Sequence, residues 1–115
     1  MKDLYKDINQ KLNAIKVLII QGNYKKAIFY CNNIKKEVIK LCLDNKDEEK
    51  RSDISLLNDF KEKNKNENEI IEILNNITDI IRKYDYDFQD VFDMEDAKCM
   101  YFNILKFIKI CIERR

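Results

Sequence analysis

The sequence predicts an all-α protein, an antiparallel bundle of four to five helices that forms a single domain. Apolar residues recur at steps of three and four along most of the chain, the spacing that gives a helix one buried face. The 115 residues include no Pro and a single Gly, so few positions interrupt a helix. A chain of this length with 45% apolar residues is expected to fold around one core.

Two helices joined by a tight turn are predicted at the start of the chain. The first runs over about 3–21, and Gly22 follows it as the residue that tolerates a left-handed backbone at a helix C-terminus. A second stripe begins almost at once, so the two helices are expected to form an antiparallel hairpin. The two stripes are Leu4, Ile8, Leu12, Ile15 and Ile19, then Ala27, Cys31, Ile34, Val38 and Leu41.

The middle of the chain alternates polar connections with apolar stripes. The segments 44–53 and 61–68 have no apolar face, so the first is predicted to be a solvated loop or a frayed helix end and the second a polar loop. Between them, Asp53 is expected to cap a short helix that buries Ile54, Leu57 and Phe60. Asn66 with Glu69 resembles a capping box for the next helix. That helix carries the stripe Ile70, Ile73, Leu74, Ile77, Ile80 and Ile81.

The segment 84–92 alternates aromatic and acidic residues with period two. We predict an extended loop there, in preference to a short strand, whose rings pack on the bundle or contact a partner. Asp93, with Asp96 three residues later, is expected to cap the last helix. The predicted core face of that helix is Ala97, Tyr101, Ile104, Ile108 and Cys111, broadened by Met100, Leu105 and Phe107.

The composition excludes several function classes. The chain has 22 Lys and Arg, 21 Asp and Glu, and no His. A net charge of +1 gives no overall field toward nucleic acid, so such binding must come from a local patch. Without His there is no imidazole base and no imidazole metal ligand. We expect a protein that is not an enzyme and that holds no metal and no cofactor.

The sequence also bears on the compartment. No apolar run approaches the roughly 20 residues of a membrane span, and the N-terminus is charged from Lys2 onward, so we expect a cytoplasmic protein that does not bind membranes. The cysteines form no Cys-x-x-Cys pair and each lies in an apolar helical stretch, so reduced, mostly buried thiols are expected. They are Cys31, Cys42, Cys99 and Cys111.

Two family resemblances follow from the turn and from the last helix. The junction from Gln21 to Tyr30 resembles the helix-turn-helix of a tetratricopeptide repeat, although no second copy follows. The chain also resembles HEPN domains, which are small helical bundles. The residues that carry this second resemblance are Ala14, Leu18, Gly22, Tyr24, Ala27, Glu37 and Lys40, then Ile81, Arg82, Lys83, Glu95, Asp96 and Ala97.

The HEPN resemblance raises the question of ribonuclease activity, and this sequence departs from the pattern of the active members. Active HEPN ribonucleases use an Arg followed after a short spacer by a His, and the pair acts on RNA across a dimer interface. Arg82 matches the Arg position, but the window for His holds Asp87, Phe88 and Gln89. The resemblance therefore implies a non-catalytic member that forms a homodimer, in a setting of bacterial defence, toxin–antitoxin pairing or phage inhibition.

Two surfaces are candidates for partner binding. For a protein partner we expect the acidic-aromatic segment to make the contact, through Tyr84, Asp85, Tyr86, Asp87, Phe88 and Asp90, or the basic edge of the second helix. That edge consists of Lys25, Lys26, Lys35, Lys36 and Lys40 and is interrupted by Glu37. Nucleic acid is the alternative partner, either as an RNA-binding or as an RNA-cleaving relative. Its candidate contacts are Arg82, Lys25, Lys26, Lys36 and Lys40.

Overall fold

The structure, a computed structural model, describes residues 2–43, 52–86 and 92–113. Within these ranges every regular element is a helix, which confirms the all-α prediction. The elements are α1 (Lys2–Ile20), α2 (Tyr24–Cys42), α3 (Asp53–Lys63), α4 (Asn68–Tyr86) and α5 (Met94–Glu113). None of the described helices is both long and apolar enough to span a lipid bilayer.

Gly22 makes the turn between α1 and α2, as predicted. Its φ is +82°, a left-handed value that residues with a Cβ rarely adopt. The Asn23 N–H donates to the Leu18 carbonyl at 2.8 Å, and the Gly22 N–H donates to the Ile19 carbonyl at 3.1 Å. These bonds satisfy the last carbonyls of α1 and turn the chain directly into α2.

The central helix is α2, which packs against α1, α3 and α5, while α4 packs chiefly on α5. Two aromatic rings connect α3 to α5: Phe60 of α3 meets Phe107 of α5 edge to face, with 5.7 Å between ring centroids. The largest fully buried side chains are Phe60, Phe107, Ile8, Ile15, Ile28, Ile34, Leu74, Ile77, Met100, Ile104, Val38 and Cys31. All four long helices therefore contribute to one core.

The short helix α3 forms, but its cap and its buried face differ from the prediction. Ser52 is the N-cap, since its hydroxyl accepts from the Ser55 N–H at 3.1 Å, and Asp53 is the first helical residue. Leu56 and Phe60 are buried, whereas Ile54 is 72% exposed. The helix has only three turns and carries Ile54, Leu56, Leu57 and Phe60, so its sequence fits more than one buried face. Packing on α2 selects the face that contains Leu56.

The polar connection after α3 is shorter than predicted. Residues 61–63 are helical because Lys and Glu are good helix formers, so the predicted loop 61–68 is reduced to residues 64–67. Asn64 ends α3 by donating its side-chain amide to the Phe60 carbonyl at 2.8 Å. The predicted cap at Asn66 is wrong, because the Glu67 carbonyl accepts the first bond of α4, from the Ile71 N–H.

The extended loop predicted over 84–92 is wrong over its first three residues. The backbone of 84–86 is helical and belongs to α4. The segment contains no Gly or Pro, and each added helical residue gains a backbone hydrogen bond, so the helix continues through the period-two pattern. Residues 87–91 lie outside the described part of the chain. Phe92 is buried and meets the Phe29 ring edge to face at 6.5 Å, so this ring belongs to the core.

The last helix begins as predicted and is rotated from its predicted face. Asp93 accepts the Asp96 N–H at 2.9 Å, and Asp96 accepts the Asp93 N–H at 3.1 Å, a reciprocal cap. The side chains most deeply buried on α5 are Ala97, Met100, Ile104, Phe107 and Cys111, while Tyr101 and Ile108 are half-buried. Cys31 and Cys111 are buried, Cys99 is exposed, and none of the four cysteines forms a disulfide.

Candidate functional site

A cleft of about 500 Å³ opens between α1 and α2, and we call it the α1–α2 cleft. Its volume lies in the range of about 300–1,000 Å³ that is usual for ligand sites. It is lined by Lys11, Tyr30, Asn33, Lys36, Glu37 and Lys40. The lining residues carry three ammonium groups and one carboxylate, so they are net cationic.

The sequence builds this cleft from two helix faces. Tyr30, Asn33, Glu37 and Lys40 recur at steps of three and four, which places them in one row along α2. This row lies on the side of α2 away from its buried residues, such as Cys31 and Val38. The turn at Gly22 brings α1 back alongside, so Lys11 reaches the same row.

Glu37 is the most unusual group in the cleft. Lys11 Nζ donates to Glu37 Oε1 at 2.6 Å and also pairs with Asp7 at 3.1 Å. The hydrogen bond to Glu37 is the main reason that the pKa of Lys11 is raised above its usual value. The second oxygen, Glu37 Oε2, is buried and has no hydrogen-bond donor among the described residues. A buried acceptor without a donor is costly. Because the Glu37 side chain as a whole is 37% exposed, a turn of its carboxylate presents Oε2 to a ligand that supplies a donor, and that contact adds binding energy.

Two further lysines on α2 differ in how they are held. Lys36 Nζ pairs with Asp53 of α3 at 3.0 Å, and this bond lowers the pKa of Asp53. Lys40 is exposed and lies close enough to Asp53 to contribute to that lowering. No ion pair within the described ranges includes Lys40. Lys40 is therefore the cation in the cleft best placed to receive an external anion.

The lysines of the predicted basic edge of α2 do not form one continuous surface. Lys25 and Lys26 line a different cleft, of about 460 Å³, at the start of α2 beside Phe29 and Phe92. Lys26 Nζ lies 5.8 Å from the centroid of the Tyr30 ring, which links the two clefts along the helix.

Lys35 was expected on the same basic edge and is not there. It is 8% exposed, and burial, followed by the charge of Lys36, lowers its pKa. Because its side chain lies on the α3 side of α2, Lys35 lines a small pocket with Leu56 and Leu57 and is no part of the α1–α2 cleft.

Arg82 stands apart from these lysines. It lies on an exposed position of α4, and α4 packs on α5 and not on the outer face of α2. Its neighbour Lys83 does form an ion pair, through Nζ, with Asp96 of α5 at 2.7 Å. Arg82 takes part in no ion pair within the described ranges.

The acidic-aromatic surface can be placed only in part. The backbone of Tyr84, Asp85 and Tyr86 forms the last turn of α4. Asp87, Phe88 and Asp90 lie outside the described residues. In the described ranges no group of three or more Cys, Asp or Glu side chains is arranged to hold a metal ion.

Sequence reasoning missed Lys11 and misjudged Glu37. Lys11 lies on α1, outside any basic run, and only the hairpin brings it to α2. Glu37 looked like an interruption of a basic edge, whereas it is the acceptor that fixes Lys11. The Asp7 and Lys11 pair at spacing i,i+4 signals an ordered lysine but not its partner on α2.

Comparison with known protein families shows which family the chain belongs to. The family model of the HEPN domain matches residues 1–115, the whole chain. The chain belongs to the HEPN family. No curated protein and no solved structure matches it. This HEPN protein has no histidine, so it lacks the residue type that serves as the base in the family's ribonucleases.

Proposed function

We propose that this HEPN-family protein acts by binding another protein and has no catalytic activity of its own. The site of contact is the α1–α2 cleft, on the basic edge of α2. The partner is an acidic segment that places a carboxylate on Lys40 and an N–H or O–H donor on Glu37 Oε2. The observation that carries the proposal is the buried Glu37 Oε2, which lacks a donor among the described residues.

The electrostatics of the cleft favour a partner that brings both an anion and a donor. Lys11 Nζ already neutralises Glu37 at 2.6 Å. A cationic group of a partner would therefore meet Lys36 and Lys40, and the cleft would offer it no further carboxylate to pair with. A backbone N–H or a hydroxyl satisfies Glu37 Oε2 with no added charge. An acidic side chain a few ångströms away pairs with Lys40. A loop rich in Asp, Glu, Ser or Thr supplies both groups.

The absence of histidine supports the non-catalytic part. General base catalysis near neutral pH needs a group that titrates there, and histidine is the only side chain that does so without perturbation. Burial raises the pKa of the Cys31 thiol to about 12, so this thiol is protonated and unreactive near neutral pH.

One observation favours RNA as a second candidate ligand. Tyr30 is partly exposed at the cleft with Lys26 over its ring at 5.8 Å, and an aromatic ring beside lysines is a typical surface for single-stranded nucleic acid. Glu37 opposes this reading, because its carboxylate would face the phosphates.

The test is affinity capture from a lysate of the source organism with wild-type protein and two variants as bait. Lys40→Glu reverses the charge of one lysine in the cleft, and Lys63→Glu reverses that of another exposed lysine, on α3. We expect a stoichiometric protein partner with the wild type and with Lys63→Glu, and a loss of about tenfold or more with Lys40→Glu. Circular dichroism checks that both variants stay helical.

Nuclease treatment separates the two candidates. A partner that survives nuclease and is lost with Lys40→Glu supports the proposal. If retention disappears on nuclease treatment, or if purified protein retains RNA that Lys40→Glu releases, the cleft binds RNA and the proposal is wrong. Equal retention by both variants rejects the cleft as the contact surface.

A further inference from the structure

The outer face of α5 is unusual in exposing a large aromatic ring among lysines. Phe102 is 59% exposed, with Lys98 and Lys106 one turn to either side and Lys109 two turns along. Spacings of four and seven place these side chains on one face of the helix. We call Lys98, Phe102, Lys106 and Lys109 the α5 outer face.

The end of α1 extends this surface. Lys16 Nζ lies 5.9 Å from the Tyr101 ring centroid, and that ring meets Phe102 edge to face at 6.2 Å. The starts of α2 and α5 lie together, because Phe29 contacts Phe92, so α1 ends beside the start of α5. Ile20, which is 84% exposed, follows Lys16 by one turn in that direction.

The charges on this surface define what binds it. Among the described side chains on this side of the molecule, the four lysines Lys16, Lys98, Lys106 and Lys109 outnumber one exposed carboxylate, that of Glu95. A second copy of the chain docked face to face would bring these lysines against one another, which disfavours self-association. An acidic partner is complementary, and the apolar side chains call for apolar anchors between its carboxylates.

We propose that the α5 outer face, with Ile20, docks an acidic amphipathic helix of another protein. Apolar side chains of that helix contact Phe102 and Ile20, and its flanking carboxylates pair with Lys98, Lys106 and Lys109. Three turns of helix, about 16 Å, match the span from Lys98 to Lys109. Ile20 and Met94, both exposed, suit a protein helix better than a nucleic acid, because aliphatic side chains offer no ring on which bases stack.

This surface is independent of the α1–α2 cleft. The buried faces of α2 and α5 pack together, so the outer faces of the two helices point in opposite directions. A variant on one face leaves the other intact. The chain is thereby able to hold two partners at once, which goes beyond the proposed function.

The test uses a designed helical peptide with Leu at helical spacing and Glu at its flanks, titrated against the full chain by fluorescence polarisation. We expect saturable binding that is weakened about tenfold or more by Phe102→Ser and by Lys98→Glu with Lys106→Glu. The matched control is Ile54→Ser, which changes an exposed apolar residue on α3. A peptide of the same pattern with Lys in place of Glu is expected not to bind.

Several outcomes overturn the proposal. These are no binding of the acidic peptide, equal loss with Ile54→Ser, or equal binding of the Lys peptide. A fourth is that the wild-type protein binds single-stranded RNA or anionic vesicles and not the peptide, and that Phe102→Ser abolishes this binding. Lys40→Glu serves as a further control, because it removes the proposed cleft partner and is expected to leave peptide binding unchanged.

Discussion

Asp93 and Asp96 each accept a backbone N–H of the other, at 2.9 and 3.1 Å, and so close the first turn of α5. Asp96 also receives Lys83 Nζ at 2.7 Å, which ties the end of α4 to the start of α5. Hydrogen bonding from the Asp96 backbone N–H lowers the pKa of Asp93 below its usual value. Two adjacent carboxylates thus organise the junction that follows the acidic-aromatic segment.

The lowered pKa of Asp93 predicts a pH dependence of stability. Since the folded pKa lies below the unfolded value of 3.8, the stabilisation is present above about pH 4 and is lost as the pH falls through the folded pKa. Asp93→Asn keeps a capping acceptor but does not titrate. We expect the variant to be less stable than the wild type at neutral pH and the gap to narrow in acid.

Urea unfolding followed by circular dichroism, at neutral pH and at about pH 3, measures this gap. Asp53 also has a lowered pKa, through Lys36, but it is unchanged in both proteins and cancels in the comparison. A gap that stays constant across the acid range would show that the Asp93 carboxylate is not coupled to folding.

At the level of elements, α3 packs chiefly on α2, and its most deeply buried side chain is the ring of Phe60. Phe60 is 1% exposed and packs edge to face on Phe107 of α5. Leu56 and the Lys36–Asp53 pair add the contacts to α2. The pair is partly exposed and contributes little, so the buried ring of Phe60 decides whether α3 docks.

Phe60→Ala is expected to lower the free energy of unfolding by about 3–5 kcal/mol, because it leaves a cavity between α3 and α5. Ile54→Ala, on the exposed side of the same helix, is expected to change it by less than about 0.5 kcal/mol. Chemical denaturation of the three proteins tests this difference. Similar losses in both variants would place α3 in another register.

Helix α4 shows where local sequence patterns mislead. The alternating aromatic and acidic residues from Tyr84 predicted an extended backbone, yet residues 84–86 continue the helix. Alternation fixes a strand only where a neighbouring strand pairs with it, and every regular element in the described ranges is a helix. The apolar stripe of the same helix, by contrast, predicted its buried residues Ile70, Ile73, Leu74 and Ile77.

For the molecule as a whole, membership of the HEPN family and the lack of histidine lead to opposite expectations of ribonuclease activity. We expect purified protein to cleave no RNA above background, and Arg82→Ala to cause no change. Arg82 lies exposed on α4 and away from the α1–α2 cleft, so the same variant is expected to retain the captured partner.

A fluorescent RNA cleavage assay with and without a chelator, run beside partner capture, measures both expectations. Cleavage that Arg82→Ala abolishes would contradict the non-catalytic proposal and assign Arg82 to an active site. Loss of the partner with Arg82→Ala would move the contact surface to the end of α4.

The sequence by itself determined the fold class, the first hairpin and the cap of the last helix. Each of these depends on residues close together in the chain: apolar steps of three and four, the φ that Gly22 permits, and the spacing of Asp93 and Asp96. The resemblance to HEPN domains was also visible in short sequence motifs, and the family match over residues 1–115 confirmed it.

Only the tertiary structure decided which side chains meet across helices. Lys11 and Glu37 are 26 positions apart, and no periodicity in either helix indicates their 2.6 Å contact. The burial of Lys35 and the exposure of Phe102 and Ile20 depend likewise on how each helix is rotated against its neighbours. Helical periodicity defines an apolar stripe, but the rotation that sets its edges is chosen by packing on the other helices. The cleft and the α5 outer face both lie at such edges.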